Sequence, residues 1–272
     1  MLRSYPSSTP RSGHVAPRTL RHDRNDVVVL TLHQPARRNP LDAATVGELH
    51  AHLDAAEEED AKGLVLTGTP PAFCAGGDVG EVMPGDNPRA LVARHRAFVD
   101  LARRLASLPL PTAAAVNGPA VGAGLSLALL CDHVVVSEEA IVRFGFLQVG
   151  LAPDLLAAAT VQRRAGLTVA NDVLLSGRPV AGAEAVALRL ADRAVPSAEV
   201  VDSAVDWATA IGAIDPFAFQ TAKAMIRRPV ADLAVLADHE ALAVGLAASS
   251  ETFLTATSRF RSAPDRHDEA GR

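Results

Sequence analysis

The sequence predicts an α/β fold that passes, near Asp154, into a mostly helical region. Three observations carry that expectation. Short apolar, strand-like runs alternate with helix-length segments through the first half of the chain, and such alternation implies crossover connections and layered packing. Two of these runs, residues 63–68 and 112–116, each give way to a glycine-bearing turn. Beyond Asp154 the pattern is mostly helical.

The elements follow in order. Residues 27–32 form a β-branched run suited to a buried strand. Asp42 is placed to cap a helix reaching Glu58, with Val46, Leu49 and Leu53 near three-to-four spacing. Residues 62–67, 113–116 and 133–137 read as further strands, and 88–106 and 123–131 as helices. The later helices are expected at 157–164, 168–175, 181–190, 198–211, 216–226, 231–248 and 250–260. Residues 1–24 read as a disordered tail rich in Arg, Ser and Pro, and 262–272 as a second one. An Arg-rich, acid-poor start also describes an organellar transit peptide, but Pro6, Pro10 and Pro17 break any amphipathic helix there. The core is expected over 25–196 and a helical region over 197–261.

Net charge −5 and pI near 6.0 give no basis for nucleic-acid binding or a basic membrane face. Two cysteines in apolar surroundings, Cys74 and Cys131, point to a reducing, cytoplasmic setting. The uncharged stretch from Leu105 to Cys131 has the length of a membrane span. Pro109, Pro111, Asn117 and Pro119 interrupt it too often for lipid, so a buried strand–turn–helix is expected. No metal-ligand spacing, P-loop or dinucleotide fingerprint is present.

The two glycine turns are Phe73-Cys74-Ala75-Gly76-Gly77-Asp78-Val79 and Asn117-Gly118-Pro119-Ala120-Val121-Gly122-Ala123-Gly124. Small residues at such turns let the backbone approach a ligand closely and leave N–H groups pointing outward. Two such groups converging on one carbonyl oxygen make an oxyanion hole. Together with Cys131-Asp132, with Pro35-Ala36-Arg37-Arg38-Asn39-Pro40-Leu41 upstream and Gly150-Leu151-Ala152-Pro153-Asp154 downstream, the pair resembles the crotonase, or enoyl-CoA hydratase/isomerase, family. A last stretch, Leu175-Ser176-Gly177-Arg178-Pro179-Val180, extends the likeness over roughly 27–261.

The resemblance implies a spiral of ββα units followed by a helical region that builds a homotrimer or a hexamer. It implies an acyl-CoA thioester as substrate, with CoA as part of that substrate and no separate cofactor. Gly77 and Ala123 would give the two oxyanion N–H donors. Arg38, with Arg37 beside it, would meet CoA phosphates, and the backbone at Ala75 and Asp78 the adenine or pantetheine. The family's hydratases use two glutamates to activate water. Their places fall on Ser126 and on Phe146, or on Gln148 with a two-residue shift, and none of these takes a proton near neutral pH.

Asp154 occupies the position at which some isomerases of the family carry a catalytic aspartate. Beside Leu151, Leu155 and Leu156 its carboxylate would be partly desolvated and so a stronger base. It could equally cap the helix that starts near Leu155. A double-bond shift is therefore the expected reaction, with an atypical hydratase or a non-catalytic acyl-CoA carrier as alternatives. His95, among arginines, reads as solvated, and Phe144 and Phe146 as pocket or core aromatics.

Overall fold

The computed structural model describes residues 16–78, 80, 87–227 and the single positions 244, 251 and 255. The helices expected at 231–248 and 250–260, and the tail at 262–272, therefore lie outside the described residues.

Nine strands and seven α-helices are described, in the order β1 (Thr19–Arg24), β2 (Val27–Leu32), α1 (Ala43–Glu58), β3 (Gly63–Gly68), α2 (Pro88–Ser107), β4 (Thr112–Val116), β5 (Ala120–Val121), α3 (Ala123–Leu129), β6 (His133–Ser137), β7 (Ile141–Arg143), α4 (Ala157–Ala170), β8 (Val180–Ala181), α5 (Gly182–Ala187), β9 (Arg193–Val195), α6 (Val200–Gly212) and α7 (Pro216–Arg227). Six strands form one sheet in the order β1-β2-β3-β4-β6-β9, and β5-β7-β8 form a smaller one. Within the large sheet only β1 runs antiparallel to its neighbour.

Both faces of the large sheet are buried, and period-two alternation assigns them. Val27, Val29, Val65, Ala113, Ala115 and Val135 pack with Val200, Ala204, Val205 and Ala208 of α6. Val28, Leu30, Leu32, Leu64 and Leu66 face the main core with Val46, Leu49 and Leu53 of α1. Asp42 caps α1 as expected, its carboxylate accepting from the Thr45 amide. Two ion pairs tie α7 to the strand-end Asp132: Lys223 Nζ lies 2.6 Å and Arg227 Nη2 2.7 Å from its carboxylate.

One expectation is corrected and two are made more specific. Residues 19–24, read as tail, form β1, because Glu48 accepts from the amides of Arg18 and Thr19 and fastens an otherwise polar segment to α1. The region after Asp154 is mostly helical, as expected, with two short strands in it: β8 and β9 are too short to show a period, and β9 completes the large sheet beside β6. The break expected between 164 and 168 is present at the non-helical Gly166, with φ of 84°, and the second segment runs to Ala170 before a π-turn covers Asn171–Leu175.

The uncharged stretch ending at Cys131 folds as the end of α2, strand β4, strand β5 and helix α3. Among the described residues no helix is long and apolar enough to cross a membrane.

Candidate active site

Parallel strands β3 and β4 deliver the two glycine turns to the same end of the sheet, where ligands of open α/β sheets ordinarily bind. Three segments then run side by side. The Leu41 amide donates to Gly76 O at 2.8 Å and the Asp78 amide to Leu41 O at 3.0 Å. On the other flank, the Val121 amide donates to Cys74 O at 2.9 Å. Asn39 is buried and secures the loop after β3, its Nδ2 donating to the carbonyls of Thr69 and Ala72.

This pairing orients Gly77. Its neighbours spend their hydrogen-bonding groups on Leu41, and alternation along an extended segment turns the Gly77 amide away from Leu41. The amide has no partner among the described residues, and a Cβ at Gly77 would meet nothing within 4 Å. The amide of Ala123 opens α3 and has no intrahelical acceptor. A Cβ on Gly76 would stand 3.7 Å from that Ala123 nitrogen and only 2.8 Å from Val121 O, so the two turns are in direct contact. Gly76, at φ of 99°, is the residue this contact demands. Gly124 serves the same approach from the helix side, since a Cβ there would meet Cys74 at 2.6 Å.

Neither residue expected at a hydratase glutamate's place, Ser126 or Phe146, is a base. Ser126 is fully buried and its hydroxyl donates to Gly122 O, one turn back in its own helix, at 3.1 Å. Phe146 is buried with its ring against Gly122 and near-parallel to Phe144 at 6.2 Å. Gln148 is engaged elsewhere, its Nε2 donating to Ser176 O at 2.7 Å.

Asp154 precedes α4 but does not cap it. The N-cap is Leu156, with no side-chain cap, and the Ala157 amide donates to the main-chain carbonyl of Asp154 at 2.9 Å. Oδ1 of Asp154 is buried and has no hydrogen-bond partner among the described residues. Burial pushes this carboxyl above its ordinary value, opposed by the charge of His95 and by the aspartate's own amide. His95, read as a solvated residue from the sequence, is exposed but stacks on Phe98 and acts electrostatically on Asp154. Nothing in a run of arginines signals that α2 carries it beside a carboxylate almost sixty positions later.

The arginines divide. Arg37 is held by Asp78 at 2.6 Å, whereas the exposed Arg38 side chain has no partner among the described residues. Of the backbone expected to meet a ligand at Ala75 and Asp78, the amides are spent within the loop, on Arg38 O and Leu41 O. Beside the Gly77 amide, what this segment can offer is carbonyl oxygens. Both thiols are buried and pushed up to about 12, Cys74 by burial and Cys131 by burial and the adjacent Asp132, so neither is a nucleophile at neutral pH. Among the described residues no group of His, Cys, Asp and Glu could hold a metal ion.

Comparison with known proteins shows the family and the fold. Residues 22–259 match the family model described as enoyl-CoA hydratase/isomerase. The 2,3-dehydroadipyl-CoA hydratase of Escherichia coli is 33% identical over 247 residues, covering 89% of each chain. A Mycobacterium tuberculosis protein named as an enoyl-CoA hydratase is 34% identical over 201 residues, 74% of this chain and 78% of its own. The crystal structure of an enoyl-CoA hydratase from Mycobacterium smegmatis superposes with a TM-score of 0.83 at 26% identity, covering 90% of this chain and 96% of the other. With a family model spanning nearly the whole described fold and a full-length relative at one-third identity, the chain belongs to the enoyl-CoA hydratase/isomerase family.

Proposed function

We propose that this protein moves a carbon–carbon double bond in an acyl-CoA thioester, with Asp154 as the base and the amides of Gly77 and Ala123 as oxyanion donors. The observation that carries this reading is the Asp154 carboxylate, whose Oδ1 is buried and has no hydrogen-bond partner among the described residues, in a site where the two places expected for hydratase glutamates hold a self-bonded Ser126 and a packed Phe146.

The thioester oxygen sits between the two amides. Asp154 removes a proton from C2 of a 3-enoyl chain, and the electron pair moves onto the thioester as a dienolate. Return of the pair and protonation at C4 give the conjugated 2-enoyl product, with no net change in atoms or charge. Each oxyanion donor typically supplies about 3–4 kcal/mol of transition-state stabilisation, and a positioned base about 10²–10⁴-fold in rate. CoA enters as part of the substrate, with Arg38 facing its phosphates. Assembly as a homotrimer or hexamer belongs to the same reading, and light scattering at working concentration reads it.

A second reading, hydration of a 2-enoyl-CoA through Asp154, draws on relatives that carry hydratase names. The test is turnover of 3-enoyl-CoA thioesters, followed by absorbance of the conjugated product, for wild type and Asp154→Ala. The same pair is incubated with 2-enoyl-CoA in ¹⁸O-water. Loss of isomerase turnover in Asp154→Ala supports the proposal. Incorporation of ¹⁸O by the wild type, with no isomerase turnover, overturns it in favour of hydration.

A further inference from the structure

Two consecutive leucines follow Asp154 in the left-handed region, Leu155 at φ of 46° and Leu156 at φ of 60°. L-residues with a branched side chain avoid this region, and a helical start would place both at negative φ. Leu155 is buried at 1% exposure while Leu156 is 39% exposed, so burial accounts for the first and not for the second. Their effect on Asp154 is direct. A helix that began at Leu155 would make Asp154 its N-cap, with the carboxylate accepting from the amides of the first turn. With both leucines left-handed, α4 starts at Ala157, and the Ala157 amide takes the main-chain oxygen of Asp154 instead.

We propose that the Leu155–Leu156 pair is a positioning device that keeps the Asp154 carboxylate out of the capping role and leaves it available to a substrate proton. The inference rests on the reading of Asp154 as the base. Among the described residues its other neighbours do not supply an alternative anchor. α3, which packs on α4, has no titratable side chain. On α4 itself, Arg164 is held by Asp192 and Arg163 by the carbonyl of Arg227. The charged group acting on Asp154 is His95 of α2.

The test uses the full chain and four variants, Leu156→Gly, Leu156→Ala, Leu156→Ile and Asp154→Asn. Titration of Asp154 is read by infrared difference against the same background carrying Asp154→Asn, so that a readout independent of turnover is available. Glycine and alanine lose the same leucine contacts but differ in their tolerance of positive φ. Leu156→Gly is expected to melt about 2–4 °C above Leu156→Ala, with the Asp154 titration of wild type. Leu156→Ile, β-branched and hostile to the left-handed region, is expected to bring the Asp154 titration down from its raised wild-type position, because a carboxylate that accepts cap hydrogen bonds is favoured in its charged form. Its isomerase turnover should fall at least tenfold.

Leu156→Ala melting at or above Leu156→Gly would overturn the proposal, even if the isoleucine variant does not fold. So would a folded Leu156→Ile whose Asp154 titrates as in wild type. Should Asp154→Asn keep full turnover while Leu156→Ile still moves the titration, the positioning stands and the assigned base falls. An inactive Asp154→Asn beside an unaltered Leu156→Ile gives the reverse.

Discussion

The ring of Phe146 lies 3.5 Å from the point that a Cβ on Gly122 would occupy. An aromatic side chain thus backs the turn that presents the Ala123 amide. Truncating a buried Phe ordinarily costs about 3–5 kcal/mol. Phe146→Ala is therefore expected to lower the melting temperature by about 10 °C. At a temperature where the variant is folded, kcat should fall more than KM rises, because the turn loses its backing while the CoA contacts remain. Unchanged kcat beside a lowered melting point would mean that the turn holds its shape without the ring.

The two adjacent glycines of the first turn separate folding from chemistry. Gly76 stands at φ of 99° with Val121 O in the way of any Cβ, whereas Gly77 has open space there. Gly76→Ala should destabilise by more than about 2 kcal/mol, combining backbone strain with a clash against a fixed carbonyl. Gly77→Ala should melt within about 0.5 kcal/mol of wild type. Its new methyl projects into the open space beside the candidate donor, so a loss of turnover at preserved stability is expected. Thermal melts and steady-state kinetics on the two variants check both halves. Equal melting points would contradict the contact between the turns.

Much of this was legible in the sequence because the chain signals each piece locally. The β-branched run of β2, the Asp42 cap and the glycine motifs each carry their own physics, and the strand, helix and turn fall where expected. What escaped has non-local causes. β1 is fastened by Glu48, twenty-nine residues from Thr19, and β9 is a three-residue strand made by its partner β6. The left-handed leucines after Asp154 contradict their own propensity, so no reading of residue type finds them. The proximity of His95 to Asp154 is likewise a product of packing between α2 and the segment before α4.

That proximity fixes the expected pH dependence. Burial raises the Asp154 carboxyl, and a base must be ionised, so turnover should rise with pH along an acidic limb lying above the ordinary carboxylate range. His95 in its charged form opposes the shift, so His95→Gln should move the limb further up. The sign for stability is the opposite one. Between the unfolded and the raised folded value, the folded state keeps a proton that the unfolded chain has lost, and stability falls as pH rises through that window. Asp154→Asn should remove this decline. Denaturant melts across the window, beside pH–rate profiles of wild type and His95→Gln, measure both. A limb that moves down in His95→Gln would refute the electrostatic pairing.

Arg37 and Arg38 are neighbours with different duties. Arg37 is committed to Asp78, whose side chain is only 12% exposed, while Arg38 holds the loop through its main-chain carbonyl and leaves its guanidinium unpaired among the described residues. A charge-assisted contact to a phosphate is worth about 1.5–3 kcal/mol, so Arg38→Ala should raise KM for a CoA thioester about tenfold or more. The same variant should leave KM unchanged for a pantetheine thioester, which has no nucleotide phosphates. Raised salt should shrink the difference between wild type and variant on the CoA substrate. Arg37→Ala should instead act on the loop, since it leaves the Asp78 carboxylate with the Gly80 amide as its remaining partner among the described residues, and so should affect both thioesters alike. Equal effects of Arg38→Ala on the two substrates would assign its guanidinium to the loop rather than to the phosphates.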